Sequence, residues 1–378
     1  MTEMLEIVEP GLQTTVQDLG RYGYQRFGVP VSGAIDTFAL RAANILAGNE
    51  RGAAGLEITV LGPKIRFLAG TQIAITGGDL SPSIDGEPVP QWRTVTVETG
   101  SELSFGGPQN GLRSWLAVAG GINVPLVMRS RSTYVRGGIG GLDGRALVAG
   151  DILSTLESER ALVDRKLPED FSPPVYGHDF GLRVVLGPQD GAFTEAALAS
   201  FVGATYSVSM DQDRMGCRLE GPVLEHSAGP DIVSDGSPMG GVQVPGDGAP
   251  IILLADRGAT GGFAKIATVI GADVGLIAQA MPGDMVEFHP LAVDEAQAAL
   301  REQHAVLSAI ERGVQRMVEE RRMGIRADGK SIEVLNESGA PITLPGGPNG
   351  AGSAERRSVR ATVDGASYDF EVEFQVKD

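Results

Sequence analysis

The sequence predicts a mainly β protein with a few helices. Three observations carry that prediction. Short runs of β-branched and aromatic residues alternate with polar ones through most of the chain. Glycine supplies 53 of 378 residues, roughly twice the usual share, and without a regular period, so tight turns are frequent. Helical spacing is confined to three stretches.

From the N-terminus, "LEITVLGPKIRFLAG" (56–70) reads as two strands broken at Gly62-Pro63. "TQIAITGG" (71–78), "TVTVETGSELSFGG" (94–107) and "RSWLAVAGGI" (113–122) continue the β pattern. Between them "GAIDTFALRAANILAGN" (33–49) spaces Phe38, Ala42, Ile45 and Leu46 at helical intervals. Asp36 suits its N-cap, and Gly48-Asn49 stops it. The charged, proline-containing run 158–176 is a linker. A first β domain is therefore expected over 1–160, with an N-terminal segment able to pair with a second β domain over 177–292. The helix of that second domain is "AFTEAALASFVG" (192–203).

A C-terminal extension, 293–378, changes character. Residues 294–322 are helical by composition. Leu300, Leu307 and Val314 recur every seven residues, and Ile310 and Met317 add a second row. That seam predicts either a docked helix or partner contact, or a solvated helix with one apolar stripe on its own domain. Gly313 costs it roughly 1 kcal/mol. "LPGGPNGAGSAERR" (344–357) reads as a flexible loop. "SVRATVDGASYDFEVEF" (358–374) reads as a hairpin turning at Asp364-Gly365.

Composition narrows the function. A net charge of −17 argues against a nucleic-acid surface. The lone Cys217 suits a reducing cytoplasm. No signal peptide and no run of about 18 apolar residues is seen, so a cytoplasmic protein without a membrane span is expected. His178, His226, His289 and His304 lack metal-ligand spacing, so no metal is expected. There is no G-x-S-x-G elbow and no Walker loop; "GGFAK" (261–265) is too short. "RGGIGGLDGR" (136–145) has no strand leading into a helix, and reads as a turn whose backbone N–H groups face a ligand.

What remains is Asp and Arg beside glycine: "QDLGRYGY" (17–24), "QDRMGCRLEGP" (212–222) and "LLADRGATGG" (253–262). Such pairs either neutralise one another at turns or grip a carboxylate or ureido oxygen, with glycine admitting the ligand to the backbone.

Together with "GLQTTVQDLGRYGYQRFGVPVSGAIDTFALRAANILAGN" (11–49), "WLAVAGGINVP" (115–125), "SRSTYVRGGIGGLDGRAL" (130–147), "IVSDGSPMGGVQVPGDGAPIILLADRGATGGFAKIATVIGAD" (232–273) and "PGD" (282–284), these segments resemble the biotin-dependent carboxyltransferase family. That family includes the carboxyltransferase portion of urea carboxylase, long labelled allophanate hydrolase subunit 2, and the C component of 5-oxoprolinase. The resemblance covers roughly 5–290 and implies two cyclophilin-like β-barrel domains, with a companion β-barrel subunit beside them. It implies transfer of CO2 from carboxybiotin to urea or a urea-like or lactam substrate. The alternative it implies is ATP-dependent opening of pyroglutamate to glutamate without biotin. Some relatives resemble a regulatory protein that binds a kinase-inhibitor-like β-barrel partner. No lysine here sits in Met-Lys-Met, so biotin would arrive on another subunit. Biotin carboxylase and biotin carrier chains are then expected partners, and any ATP step belongs to a partner.

Residue chemistry and the resemblance together nominate the site. Arg113 and Arg136 are carboxylate clamps. Arg257 and Lys265 form the oxyanion side, because a lone lysine between Ala264 and Ile266 is costly to bury without a task. Asp256, Asp36 or Asp247 serves as base or orients an arginine. Gln243 offers donor and acceptor to a planar amide. Two departures from the family pattern bear on substrate choice: Arg129, where a small residue is more usual, and Gly258-Ala259, where polar residues are expected.

Overall fold

A computed structural model describes residues 2–156, 164–168 and 171–322, and beyond them the strands Ile325–Ala327, Ile332–Val334, Ala354–Val363 and Ala366–Gln375. The chain divides into two compact units, 1–314 and 315–378. Within the described residues it is mainly β with four α-helices.

The first β region is two sheets around one core. A seven-stranded sheet runs in the order Ile122–Asn123, Ile152–Thr155, Thr2–Glu9, Lys64–Phe67, Glu102–Phe105, Pro82–Ile84 and Glu87–Pro88. A five-stranded sheet runs Gln13–Gln17, Gly55–Thr59, Asn110–Val118, Thr71–Asp79 and Thr94–Val97. The Gly62-Pro63 break lets the chain leave one sheet at Thr59 and enter the other at Lys64. Side chains from both sheets, including Leu5, Phe67, Ile58 and Leu116, meet in one cluster.

Helix α1 (Thr37–Ala47) begins where the sequence predicts. Asp36 Oδ1 accepts the Ala39 N–H at 2.9 Å, and Gly48 ends the helix at φ 79°. Its buried face lies against Trp115 and Ala117 of the five-stranded sheet.

The second β region, from Asp179 to Pro290, is a closed barrel. Its order is Asp179–Leu186, Lys265–Val269, Gly241–Gln243, Ile251–Leu253, Gly216–Glu220, Tyr206–Gln212 and Met285–Pro290. The first and last strands close it in parallel. Phe201 of α2 (Glu195–Gly203) stacks on Phe288 at 4.3 Å between ring centroids. The N-terminal loop crosses to this barrel: Ser32 N–H donates to Ala255 O at 3.1 Å, and Ile35 is part of the barrel core. A short helix, α3 (Val274–Ile277), touches α1 beneath that crossing.

Helix α4 (Val293–Arg322) settles the question its stripe raised. Leu307, Ile310 and Val314 are buried with Leu40 and Leu46 of α1, so up to that point the stripe lies on its own chain. Leu300 stays 36% exposed, and the Met317 side chain lies outside the described residues. Strands Ala354–Val363 and Ala366–Gln375 form the expected antiparallel hairpin. It starts earlier than predicted, since 354–357, read as loop, belong to its first strand. The Asp364-Gly365 turn and 344–353 lie outside the described residues.

The turn at 136–145 corrects one expectation. Its N–H groups are largely spent on the chain itself. Gly138 donates to Val135 O, Ile139 to Tyr134 O, Gly141 to Arg131 O and Gly144 to Gly140 O. Glycine is needed because φ is 63°, 71°, 55° and 68° at Gly138, Gly140, Gly141 and Gly144.

Candidate functional site

Asp256 and Arg257 follow the strand Ile251–Leu253 and go opposite ways. Asp256 turns inward and is 4% exposed. Its carboxylate accepts from Arg214 Nε at 3.0 Å and Nη2 at 3.2 Å. Arg214 also donates to Glu57 and, at 2.7 Å, to Gly33 O. One guanidinium from the barrel thus joins a sheet strand of the first region to the crossing loop. Burial opposes its charge, but Glu57 and Asp256 together push its pKa above the ordinary arginine value. The run "QDRMG" gives no sign of this role, because Glu57 lies 157 positions away.

Arg257 turns to the surface of an open cleft. Its Nε donates to Ser237 O at 2.7 Å and its Nη1 to Leu254 O at 3.1 Å. These bonds fix the guanidinium plane and leave Nη2 free for a ligand. Burial lowers its pKa, opposed by Tyr22 and Asp256. The cleft, about 760 Å³, is also lined by Gln243, Ser237, Thr260, Phe263 and Arg218.

Gln243 and Lys265 are direct cross-strand partners, so their side chains share one face. Both are buried, Lys265 completely. Gln243 Nε2 and Lys265 Nζ each lack a hydrogen-bond partner. The nearest carboxylate to Lys265 is Asp235, with Nζ–Oδ2 3.7 Å, too long for a hydrogen bond. The backbone N–H of Gly236 and the side chains of Gln189 and Lys265 hold the Asp235 carboxyl below its ordinary range. A side chain on Gly261 would strike Gln243 Nε2 and approach Ser237 Oγ at 3.1 Å. Glycine there makes room for the Gln243 amide. Asp235 and Ser237 escape sequence reasoning; "IVSDGSPMGG" holds them without any periodicity to single them out.

The remaining nominees lie elsewhere. Arg113 is buried between the two β regions; its guanidinium donates to Ala278 O and its Nε has no partner. Burial lowers its pKa, and it does not line the cleft. Asp36 is spent as the α1 cap and accepts from Gln279 Nε2 at 3.0 Å. Burial raises its pKa. Asp247 is exposed and pairs with Arg218 at the cleft rim. The Ala249 N–H and that arginine hold its carboxyl low. Arg136 is exposed and donates to the sulfur of Met215, a lining residue. Arg129 sits at φ 64°, a strained value for a non-glycine residue. The structure therefore brings Arg257 and Gln243 together in the cleft, sets Lys265 behind Gln243 as its cross-strand neighbour, places Arg136 and Asp247 at the rim, and uses Asp256, Asp36 and Arg113 inside the protein.

Among the described residues no group of three or more His, Cys, Asp or Glu could hold a metal ion, and no helix is long and apolar enough to cross a membrane.

Known proteins resemble this chain in sequence and fold. Residues 27–290 match the family described as carboxyltransferase domain, subdomain A and B. The C component of 5-oxoprolinase from Escherichia coli (strain K12) is 38% identical over 301 residues, covering 79% of this chain and 95% of that protein. The urea amidolyase of Saccharomyces cerevisiae is 32% identical over 327 residues, covering 81% of this chain but 18% of the yeast protein. The solved urea carboxylase of Kluyveromyces lactis superposes with a TM-score of 0.77 at 32% identity, covering 82% of this chain and 29% of that one. The chain thus spans nearly all of the bacterial protein and only a part of the yeast enzymes. With most of its length matched and both β regions included, the chain belongs to the carboxyltransferase domain family of subdomains A and B.

Proposed function

We propose that this chain is the carboxyltransferase subunit of a multi-subunit amide-processing enzyme, moving CO2 from carboxybiotin on another chain to urea or a urea-like or lactam acceptor. The observation that carries the reading is Gln243, whose buried Nε2 has no partner, on the wall of the cleft with the free Nη2 of Arg257, and behind it the cross-strand neighbour Lys265, whose Nζ also makes no hydrogen bond. Leaving buried donors unpaired costs about 1–3 kcal/mol each, which a ligand rich in acceptor oxygens would recover.

The donor set fits a carboxylated ureido group. Bound biotin would supply an activated carboxyl; the chain's own residues would hold and orient it. Arg257 and Lys265 present positive charge to the carboxyl and to the oxyanion that develops on the acceptor carbonyl. Gln243 fixes the plane of the amide. Asp235 keeps a negative charge 3.7 Å from Lys265 Nζ. Asp256 acts as a positioning residue, tying its neighbour Arg257 to the Arg214 cluster.

A second reading, a 5-oxoprolinase component with ATP used at a partner subunit, is favoured by the 95% coverage of the Escherichia coli protein. The two are separated by assaying the native complex with urea and bicarbonate, and with pyroglutamate and ATP, each with and without avidin. Urea-dependent, avidin-sensitive turnover is expected. Glutamate release insensitive to avidin would replace the first reading with the second. Retention of all turnover by Arg257→Ala would remove the site from both.

A further inference from the structure

A second hollow of about 400 Å³ adjoins the cleft and shares Arg257, Ser237 and Gly258 with it. It belongs to the space around one guanidinium, not to a remote part of the surface. Its remaining walls combine apolar side chains with polar backbone and the Gln25 amide. Pro30 and Val31 come from the crossing loop, Pro238 from the loop that carries Ser237, and Ala259 from the loop after Arg257. Gln25 stands at the edge. Gly258 contributes no side chain; its φ lies outside the left-handed region, and a Cβ there would sit tightly, 3.2 Å from Thr260 O. The absence of a side chain at 258 leaves this part of the hollow open.

An unsubstituted urea has only four heavy atoms and cannot fill a hollow of this size, whose wall is part polar and part apolar. An amide with an apolar arm can, with its carbonyl on Arg257 and its arm between Pro30, Val31, Pro238 and Ala259. Resting on the functional reading above, we infer that the site accepts urea but prefers an amide or lactam carrying an apolar substituent, and that Gly258 and Ala259 set the size of the substituent admitted. Each buried methylene favours binding, so a short alkyl arm suffices to detect the effect.

The test is equilibrium binding of urea and of N-butylurea to the full chain, followed by ligand-observed NMR or calorimetry, in the wild type, Arg257→Ala, Ala259→Phe and Gly258→Leu. N-butylurea is expected to bind about tenfold more tightly than urea to the wild type. The ratio should fall to about one in Ala259→Phe, and Gly258→Leu gives the same reading by an independent route. Arg257→Ala should weaken both probes. Equal wild-type affinity for the two probes, or a ratio unchanged in both narrowing variants, overturns the inference while leaving the Arg257 site standing. Displacement of N-butylurea by free biotin with no competition from urea would also overturn it, assigning the hollow to the carboxyl donor. If Arg257→Ala binds both probes as the wild type does, the functional reading itself falls.

Discussion

Lys265 and Arg214 are both buried cations, and the difference between them separates function from architecture. Arg214 is surrounded by Glu57, Asp256 and Gly33 O, so its charge is met inside the protein. Replacing it by methionine strands two buried carboxylates and is expected to cost about 3–5 kcal/mol, read by denaturant unfolding. Lys265 Nζ has no hydrogen-bond partner. Lys265→Met should leave the denaturation midpoint unchanged or raise it, because a fully buried ammonium that makes no hydrogen bond, and whose ion partner Asp235 is half exposed, is removed. The same variant should lose at least about a hundredfold in turnover, as loss of a charge that meets a developing oxyanion does. A matching loss of stability would make Lys265 a structural residue. Cys217, the chain's single cysteine, is fully buried, and burial pushes its thiol up to about 12. It should resist a thiol reagent at mildly alkaline pH until the protein unfolds. At this scale the sequence was legible where chemistry is local: Asp256-Arg257, Lys265 and Gln243 could be picked out by residue type. Their division of labour could not, since Asp256 answers to a guanidinium 42 positions away.

Elements with a clear period were the readable ones. Helix α1 follows from Asp36, the spacing of Phe38, Ala42 and Ile45, and the Gly48 stop. Helix α4 follows from its recurring apolar stripe, and what it packs on does not. Leu307→Ala or Ile310→Ala should cost about 2–5 kcal/mol, measured by unfolding of the full chain, if the α1–α4 contact is the buried one described. Three-residue strands such as Gly241–Gln243 and Ile251–Leu253 are too short for alternation to declare itself, so the barrel order could not be read. One closing contact adds a pH signature. His178 Nδ1 lies 2.6 Å from Asp284 Oδ1 where the two parallel closing strands begin. The hydrogen bond and charge of Asp284 raise the histidine pKa in the fold. Its folded value exceeds the unfolded one of about 6.5, so its stabilisation is complete below that pH and is lost as pH rises through the raised value. An NMR titration should find the His178 midpoint above about 6.5, and Asp284→Asn should bring it back.

The whole molecule depends on a crossing that no local pattern announces. The segment between Gln17 and Asp36 leaves the first β region, lays Ile35 into the barrel core, and returns to start α1. The same segment supplies Pro30 and Val31 beside Arg257. The site is thus made by both β regions, and its walls are set by how the Arg214 cluster holds them together. The class of fold could be anticipated, because turns, strands and caps are short-range. The joining of the regions is a matter of long-range charge and packing. The account rests on a planar amide being held at Arg257, and the most direct measurement is a crystal structure of the full chain soaked with N-butylurea. It predicts the carbonyl oxygen within hydrogen-bond reach of Arg257 Nη2 and the amide plane facing Gln243. Ordered ligand bound only outside this cleft, with Arg257, Gln243 and Lys265 untouched, would contradict it.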